Sequence, residues 1–240
     1  MSIQASTRSL SAGYYRDVVV DDASVVTLTG VYSFLDLKVM DSSILRISGE
    51  VVIICRDDLE ITSYSTVNFV DANSKVTFLV ADDVIVNNAC LGLSSTIARN
   101  SSRSSSSVTA YVDPRRLRVF SLTPAAGGSA DQSFTLQSKA LAIGLIFMPR
   151  GAVEIQGDCV LHGNAVAGAF KMKDKSLFLY DYALNKGFGF TNLTGPLYKK
   201  DGSPADGLLT ALAGITEAAC DIFGATNLLK TLTAAPEPPA

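Results

Sequence analysis

Ala23-Ser24-Val25-Val26-Thr27-Leu28 is followed by Ser42-Ser43-Ile44-Leu45-Arg46-Ile47 and then by Ser65-Thr66-Val67-Asn68-Phe69-Val70. Each stretch is a small polar pair, then apolar residues alternating with polar ones. The phrase returns as Ser74-Lys75-Val76-Thr77-Phe78-Leu79, Gly151-Ala152-Val153-Glu154-Ile155 and Lys175-Ser176-Leu177-Phe178-Leu179. Alternation of period two gives a strand one apolar face. A unit this short cannot bury that face alone and must stack on copies of itself. The expected fold class is therefore all-β, a right-handed parallel β-helix (solenoid), with a C-terminal α-helical appendage described below.

Spacing supports that choice. Val25 to Ile44 spans 19 residues, Ile44 to Val67 spans 23, and Val153 to Leu177 spans 24. A coil of roughly twenty residues carrying three short strands suits a parallel β-helix. Val67 and Val76 are only 9 apart, which puts them on different faces of one coil. A β-sandwich also places short strands roughly every 8–12 residues, but it does not require one phrase to recur at a coil-length interval.

The strand candidates are Val18–Val20, Val25–Thr29, Leu35–Val39, Ile44–Ser48, Val51–Cys55, Leu59–Thr62, Val67–Val70, Val76–Val80 and Val84–Val86. They are rich in Val, Ile, Thr and Phe, which fit a pleated, half-buried surface. Asp, Asn, Ser and Gly between them are turn residues. Residues 1–13 read as a flexible N-terminal segment and 14–184 as the β-helix domain. A serine-rich loop insertion is expected at about 94–130, with Asp113–Arg118 as a surface segment. Residues 185–233 read as a linker and a helical cap or assembly segment, and 234–240 as a disordered tail.

The helix is expected to start at Ser203-Pro204-Ala205-Asp206, where Ser can cap and Pro suits the first helical position. Leu208, Leu209, Leu212, Ile215, Ala219, Ile222 and Phe223 then follow a helical period. Leu228, Leu229 and Leu232 extend the apolar surface. Two roles stand side by side: covering an open solenoid end, which would otherwise expose unpaired backbone, or packing against another subunit.

Composition narrows the function classes. Hydrophobic residues make up 48% of the chain and charged residues 18%, with a mean hydropathy of +0.28 and a formal net charge of −3. That charge exerts no global pull on nucleic acid or anionic lipid. No stretch approaches the ~20 apolar residues of a membrane span. The N-terminus lacks the basic start and apolar run of a signal peptide, so a cytoplasmic location is the default expectation. Cys55, Cys90, Cys159 and Cys220 fit no zinc spacing and read as buried free thiols, with a disulfide as the alternative.

Catalytic signals are thin. His162 is the sole histidine and has no nucleophile or metal-ligand partner in sequence. Asp21-Asp22, Asp57-Asp58 and Asp82-Asp83 admit two readings: carboxylates facing each other across a polysaccharide groove, or turn residues bonding their own backbone. No calcium-loop repeat is present. Arg99, Arg103, Arg115, Arg116 and Arg118 form a basic segment that is a candidate contact for an anionic partner. With only Tyr111 and Phe120 nearby it makes no base-stacking platform. Thr27-Leu28-Thr29 is a single copy of the motif an ice-binding face would repeat. No phosphate loop and no nucleophile elbow occur, so no cofactor is expected.

Residues Ala142-Ile143-Gly144-Leu145-Ile146-Phe147-Met148-Pro149-Arg150-Gly151-Ala152-Val153-Glu154-Ile155 form a strand–Pro–turn–strand stretch. It continues as Gly157-Asp158-Cys159-Val160-Leu161-His162-Gly163-Asn164 and ends on Tyr180-Asp181-Tyr182-Ala183-Leu184. This resembles the β-helical domain of unknown function found in bacterial surface proteins and type IV pilus-associated proteins. Bactofilins, polymerising β-helical scaffold proteins, are similar at a greater distance. The resemblance implies a β-helix, a cell-surface setting and a structural role. Pilus-associated members carry an N-terminal membrane segment that this sequence lacks.

The expected function is thus that of a non-enzymatic structural subunit that self-associates into a filament or surface assembly. The alternatives are a β-helix that binds or degrades polysaccharide, and an ice-binding or adhesin-type module.

Overall fold

The computed structural model describes residues 1–94, 113–122 and 132–181. The first turn of chain is β1 (Ser2–Gln4), β2 (Thr7–Ser9) and β3 (Gly13–Tyr14). Next come β4 (Val18–Asp21) and β5 (Val25–Phe34), then β6 (Leu37–Val39) and β7 (Ile44–Cys55). The fourth turn is β8 (Leu59–Thr62), β9 (Thr66–Phe69) and β10 (Lys75–Val80). The fifth is β11 (Val84–Asn87), β12 (Cys90–Ser94) and β13 (Leu117–Ser121). The chain continues as β14 (Ser133–Gln137), β15 (Leu141–Ile155), β16 (Val160–Met172) and β17 (Leu177–Tyr180). Every strand pairs in parallel with its counterpart one turn away, so the described part is a β-solenoid of about seven turns.

Each turn has three faces. On face A, Val18, Leu37, Leu59, Val84, Phe134 and Val153 stack in register. On face B the column is Val26, Leu45, Val67, Leu91, Ala142 and Leu161. On face C it is Tyr32, Ile53, Phe78, Val119 and Ile146. All of these are buried and belong to one continuous core. Alternation makes this automatic: with one face's residues inward, neighbouring turns about 4.8 Å apart place like on like. Tyr32 enters the core because its hydroxyl has partners there. It donates to Leu10 O at 2.7 Å and accepts from Thr29 N at 3.0 Å.

The expectations at Val67 and Val76 hold: β9 lies against the first half of β7 and β10 against its second half. Other details differ. Ile44 pairs with Thr66 and not Val67, because the buried serines Ser43 and Ser65 set the register. Val153 is on face A, between Phe134 and Phe170, whereas Leu177 is on face B beside Val160. Their 24-residue interval therefore joins two different faces.

Residues 1–13, read as a flexible lead-in, supply β1, β2 and the start of β3. Their polar composition hides two core residues, Ile3 and Leu10, which are buried. The 94–130 stretch is not a single loop. Leu117–Ser121 returns to the sheet between β10 and β15, with Leu117 and Val119 in the core. Its arginines disguise the alternation, since Arg118 takes the outward position between two buried residues.

The chain divides into two units, Met1–Leu184 and Asn185–Ala240. The second lies outside the described residues, and with it the expected helix and Leu208, Leu209, Leu212, Ile215, Ile222, Phe223, Leu228, Leu229 and Leu232. Cys55, Cys90 and Cys159 are buried free thiols, and burial pushes the Cys55 thiol up. Cys220 lies outside the described residues. Among the described residues no helix is long and apolar enough to cross a membrane.

Candidate functional site

The polar residues of a solenoid collect at its corners, and here the corners differ. Between faces C and A, the residue before each face-A strand is aspartate in four successive turns: Asp17, Asp36, Asp58 and Asp83. The side chain of Asp36 accepts from Asp58 N at 3.3 Å, and that of Asp58 from Asp83 N at 3.2 Å. Asp83 accepts from Ser133 N at 2.7 Å and from its hydroxyl at 3.1 Å. The carboxylates of Asp36, Asp58 and Asp83 thus each satisfy an amide of the following turn.

The column is crowded with negative charge. Ligand oxygens of Asp36, Asp57 and Asp58 lie within 4.8 Å of one another, and so do those of Asp58, Asp82 and Asp83. These are the oxygen donors that a hard divalent cation takes. Burial holds the Asp58 carboxyl above the usual range, and the neighbouring charges of Asp57, Asp82 and Asp83 add to that, against the pull of the Asp83 amide. The third acidic pair, Asp21-Asp22, sits at another corner, so the three pairs do not converge on one cleft.

Between faces A and B the chain turns through left-handed residues. Asp22 and Ala23, Asp41 and Ser42, Ser63 and Tyr64, and Ser138 and Lys139 all have positive φ. Three residues separate the last inward face-A residue from the small buried residue that opens face B: 21–23 before Ser24, 40–42 before Ser43, 62–64 before Ser65 and 137–139 before Ala140. The fifth turn has only Asn87 and Asn88 before Ala89. The register confirms the missing residue: Thr62 and Thr66 pair with Asn87 and Cys90. An otherwise even column is notched there. The result is an open groove of about 480 Å³ lined by Asp41, Ser42, Thr62, Ser63, Tyr64, Asn87 and Asn88.

Turn backbones in the groove are already paired: Ser42 N with Ser63 O, Ser63 N with Asn87 O, and Tyr64 N with Asn88 O. The side chains of Asp41, Ser63, Tyr64, Asn87 and Asn88 make no hydrogen bond among the described residues. Sequence reasoning passed over this site. Its one visible signal is the shortened spacing from Val86 to Ala89.

Three arginines of the basic segment lie among the described residues. Arg115 forks onto Asp113, with Nε and Nη2 to the carboxylate at 2.9 and 2.7 Å. That pairing holds the Asp113 carboxyl below the usual range. Arg116 reaches back to the loop of the preceding turn, donating from Nε to Ser74 O at 2.9 Å and from Nη2 to Asp71 O. Its guanidinium lies over the Phe69 ring, 4.2 Å from the centroid. Arg118 stands outward on face C, where burial lowers its pKa. Arg116 therefore fastens its turn to the one before, while Arg115 pairs locally with Asp113. Arg99 and Arg103 lie outside the described residues.

His162 faces outward on β16, in register with Ile143 and Leu179. Thr27 and Thr29 are on β5, and their counterparts in the next turn include Arg46, so no threonine ladder extends from them.

Among the described residues no further turn stacks on the last one. Phe170 and Met172 occupy the inward face-A positions held by Val153 and Ile155 one turn earlier. Val153 and Ile155 are 0% and 1% exposed, while Phe170 and Met172 are 42% and 43% exposed. Leu177, Leu179 and Tyr180 on β17 are likewise exposed. Among the described residues no strand pairs beyond the second half of β16 or beyond β17.

Comparison with known proteins adds no family to this geometry: no family model matches the chain, and neither a curated protein nor a solved structure matches it.

Proposed function

We propose that the chain is a non-enzymatic structural subunit, a right-handed β-solenoid that self-associates end to end through its last turn. The right hand follows from the general handedness of parallel strand–crossover–strand connections. The observation that supports self-association is the open apolar turn formed by the second half of β16 and by β17. Its apolar side chains are Phe170, Met172, Phe178 and Tyr180, with the rings of Phe170 and Phe178 tilted together at 5.3 Å between centroids. Proteins that protect an exposed sheet edge use charges, proline or a bulge. No proline interrupts residues 169–172 or 177–180, and Lys171 is already tied to Glu154 of the turn before.

A second copy would bring apolar side chains at the same spacing and a strand edge to pair with. The resemblance of residues 141–184 to surface-protein β-helices points the same way and is the sole basis for a cell-surface setting.

Light scattering across a concentration series, with negative-stain electron microscopy, tests the reading on the full chain. Oligomers or filaments are expected, and Phe170→Lys together with Met172→Lys converts them to monomers of unchanged circular dichroism. A wild-type chain that stays monomeric at the highest concentration overturns it.

A further inference from the structure

The notch between faces A and B has a chemistry of its own, independent of assembly. Five side chains with unsatisfied hydrogen-bonding capacity converge on it: one carboxylate, two carboxamides, one alcohol and one phenol. Together they offer both donors and acceptors within a short span. Among the described residues no Lys or Arg lines the groove, and Asp41 gives it negative charge. Phosphates, sulfates and uronates are therefore disfavoured.

Tyr64 is the anomalous member. It is 61% exposed, and its φ is 66°. A bulky residue rarely adopts that left-handed conformation, and the other turns of the column place Ala23, Ser42 and Lys139 there. The corner imposes that conformation in every turn, and in this one it carries an exposed ring at the rim of the groove. Beside a groove of polar groups, an exposed ring presents a flat face against which C–H groups of a sugar pack. The volume falls within the ~300–1,000 Å³ range of small-molecule sites, and the groove's open form suits part of a longer chain.

We propose that this notch binds an uncharged saccharide, with Tyr64 as the stacking platform and Asp41, Asn87 and Asn88 as the groups that hold its hydroxyls. The missing corner residue creates the room, and Tyr64 lines it as an exposed ring. Solvation of the open site keeps a single site weak. Repetition of the site in an assembly would raise avidity without new contacts.

The test uses the full chain on a printed array of neutral, amino and acidic oligosaccharides. Saturation-transfer NMR with the neutral array hits follows. Binding of at least one neutral oligosaccharide is expected, with saturation reaching its ring C–H protons. Tyr64→Asn should weaken it by about tenfold or more, the equivalent of about 1.4 kcal/mol. Asn tolerates positive φ, so this variant keeps or gains thermal stability and loss of binding is separable from unfolding. Asp41→Asn, which keeps the size of the side chain, is expected to weaken binding as well. The proposal is overturned if no neutral saccharide binds, if only acidic glycans bind, or if Tyr64→Asn and Asp41→Asn both bind as wild type does.

Discussion

The aspartate corner and the left-handed corner stack on the same solenoid at the same spacing, yet their polar groups do opposite things. Asp36, Asp58 and Asp83 each bond an amide of the following turn. Around the notch the turn amides are satisfied by backbone carbonyls, and Asp41, Asn87 and Asn88 keep their side chains for something outside the chain. A carboxylate in a repeat is thus structural or available according to who satisfies the turn backbone. Residue type alone does not decide it.

The third corner, between faces B and C, sets the upper end of the scale, because at Gly163 it leaves no room for a side chain. A Cβ on Gly163 would lie 1.9 Å from Gly144 O, with φ at 141°. The neighbouring turn's backbone runs straight past it. Gly163→Ala is expected to cost about 3 kcal/mol or more, since backbone must move and strain is added. Gly49 sits at the same corner in an earlier turn, with φ 71° and nothing within 4 Å of the place a Cβ would occupy. Gly49→Ala should cost only about 1–2 kcal/mol, the conformational penalty alone. Urea melts of the two variants measure the difference, and equal losses would mean that the late turns relax as easily as the early ones.

A smaller effect separates the two polar corners directly. Asp83→Ala removes the acceptor of a backbone amide and of the Ser133 hydroxyl and is expected to cost about 1–3 kcal/mol. Asp41→Asn removes the charge of a group with no partner among the described residues, keeps a side chain that tolerates the φ of 51°, and should stay within about 0.5 kcal/mol. Comparable losses at both positions in thermal melts would erase the distinction between a committed corner and an available one.

Much of this architecture is legible in the sequence, and the failures share a cause. Alternating apolar residues locate face A and face B in the second, third and fourth turns, where turn residues set off the start of each phrase. The later turns are harder. β15 runs without a break from Leu141 to Ile155 across all three faces. Gly144 and Pro149-Arg150-Gly151 stand at its corners, but the strand runs on through them, so the phrase at Val153 looks like a face-B strand although it lies on face A. Arg115, Arg116 and Arg118 hide Leu117 and Val119, because their charge suggests surface although alternation puts only Arg118 outward. Polar neighbours mask Ile3 and Leu10 in the same way. The notch leaves one trace in the sequence, the shortened spacing from Val86 to Ala89, which acquires meaning only once the register of the neighbouring turns is known.

The subtlest contrast is in pH. Asp58 has its carboxyl raised by burial and by the adjoining aspartates. A raised folded-state value means that the protonated form is favoured in the folded chain. Its contribution is present in full below the ordinary carboxylate pKa of ~3.9 and is lost as pH rises through the raised value. Asp71 and Asp113 are lowered, first by the Ser74 hydroxyl and by Arg115 respectively. Their contribution is present above the ordinary value and is lost as pH falls through the lowered one. Stability should therefore climb slightly on acidification from neutral and then fall in stronger acid. Asp58→Asn keeps a side-chain oxygen for the Asp83 amide but removes the charge. It should flatten the neutral-to-mildly-acid climb while leaving the acid limb in place, and Asp71→Asn should do the reverse. Urea midpoints read across about pH 3 to 8 would show both. A climb that survives in Asp58→Asn would mean that crowding in the aspartate column is not what the folded chain titrates, and that the column is held by its hydrogen bonds alone.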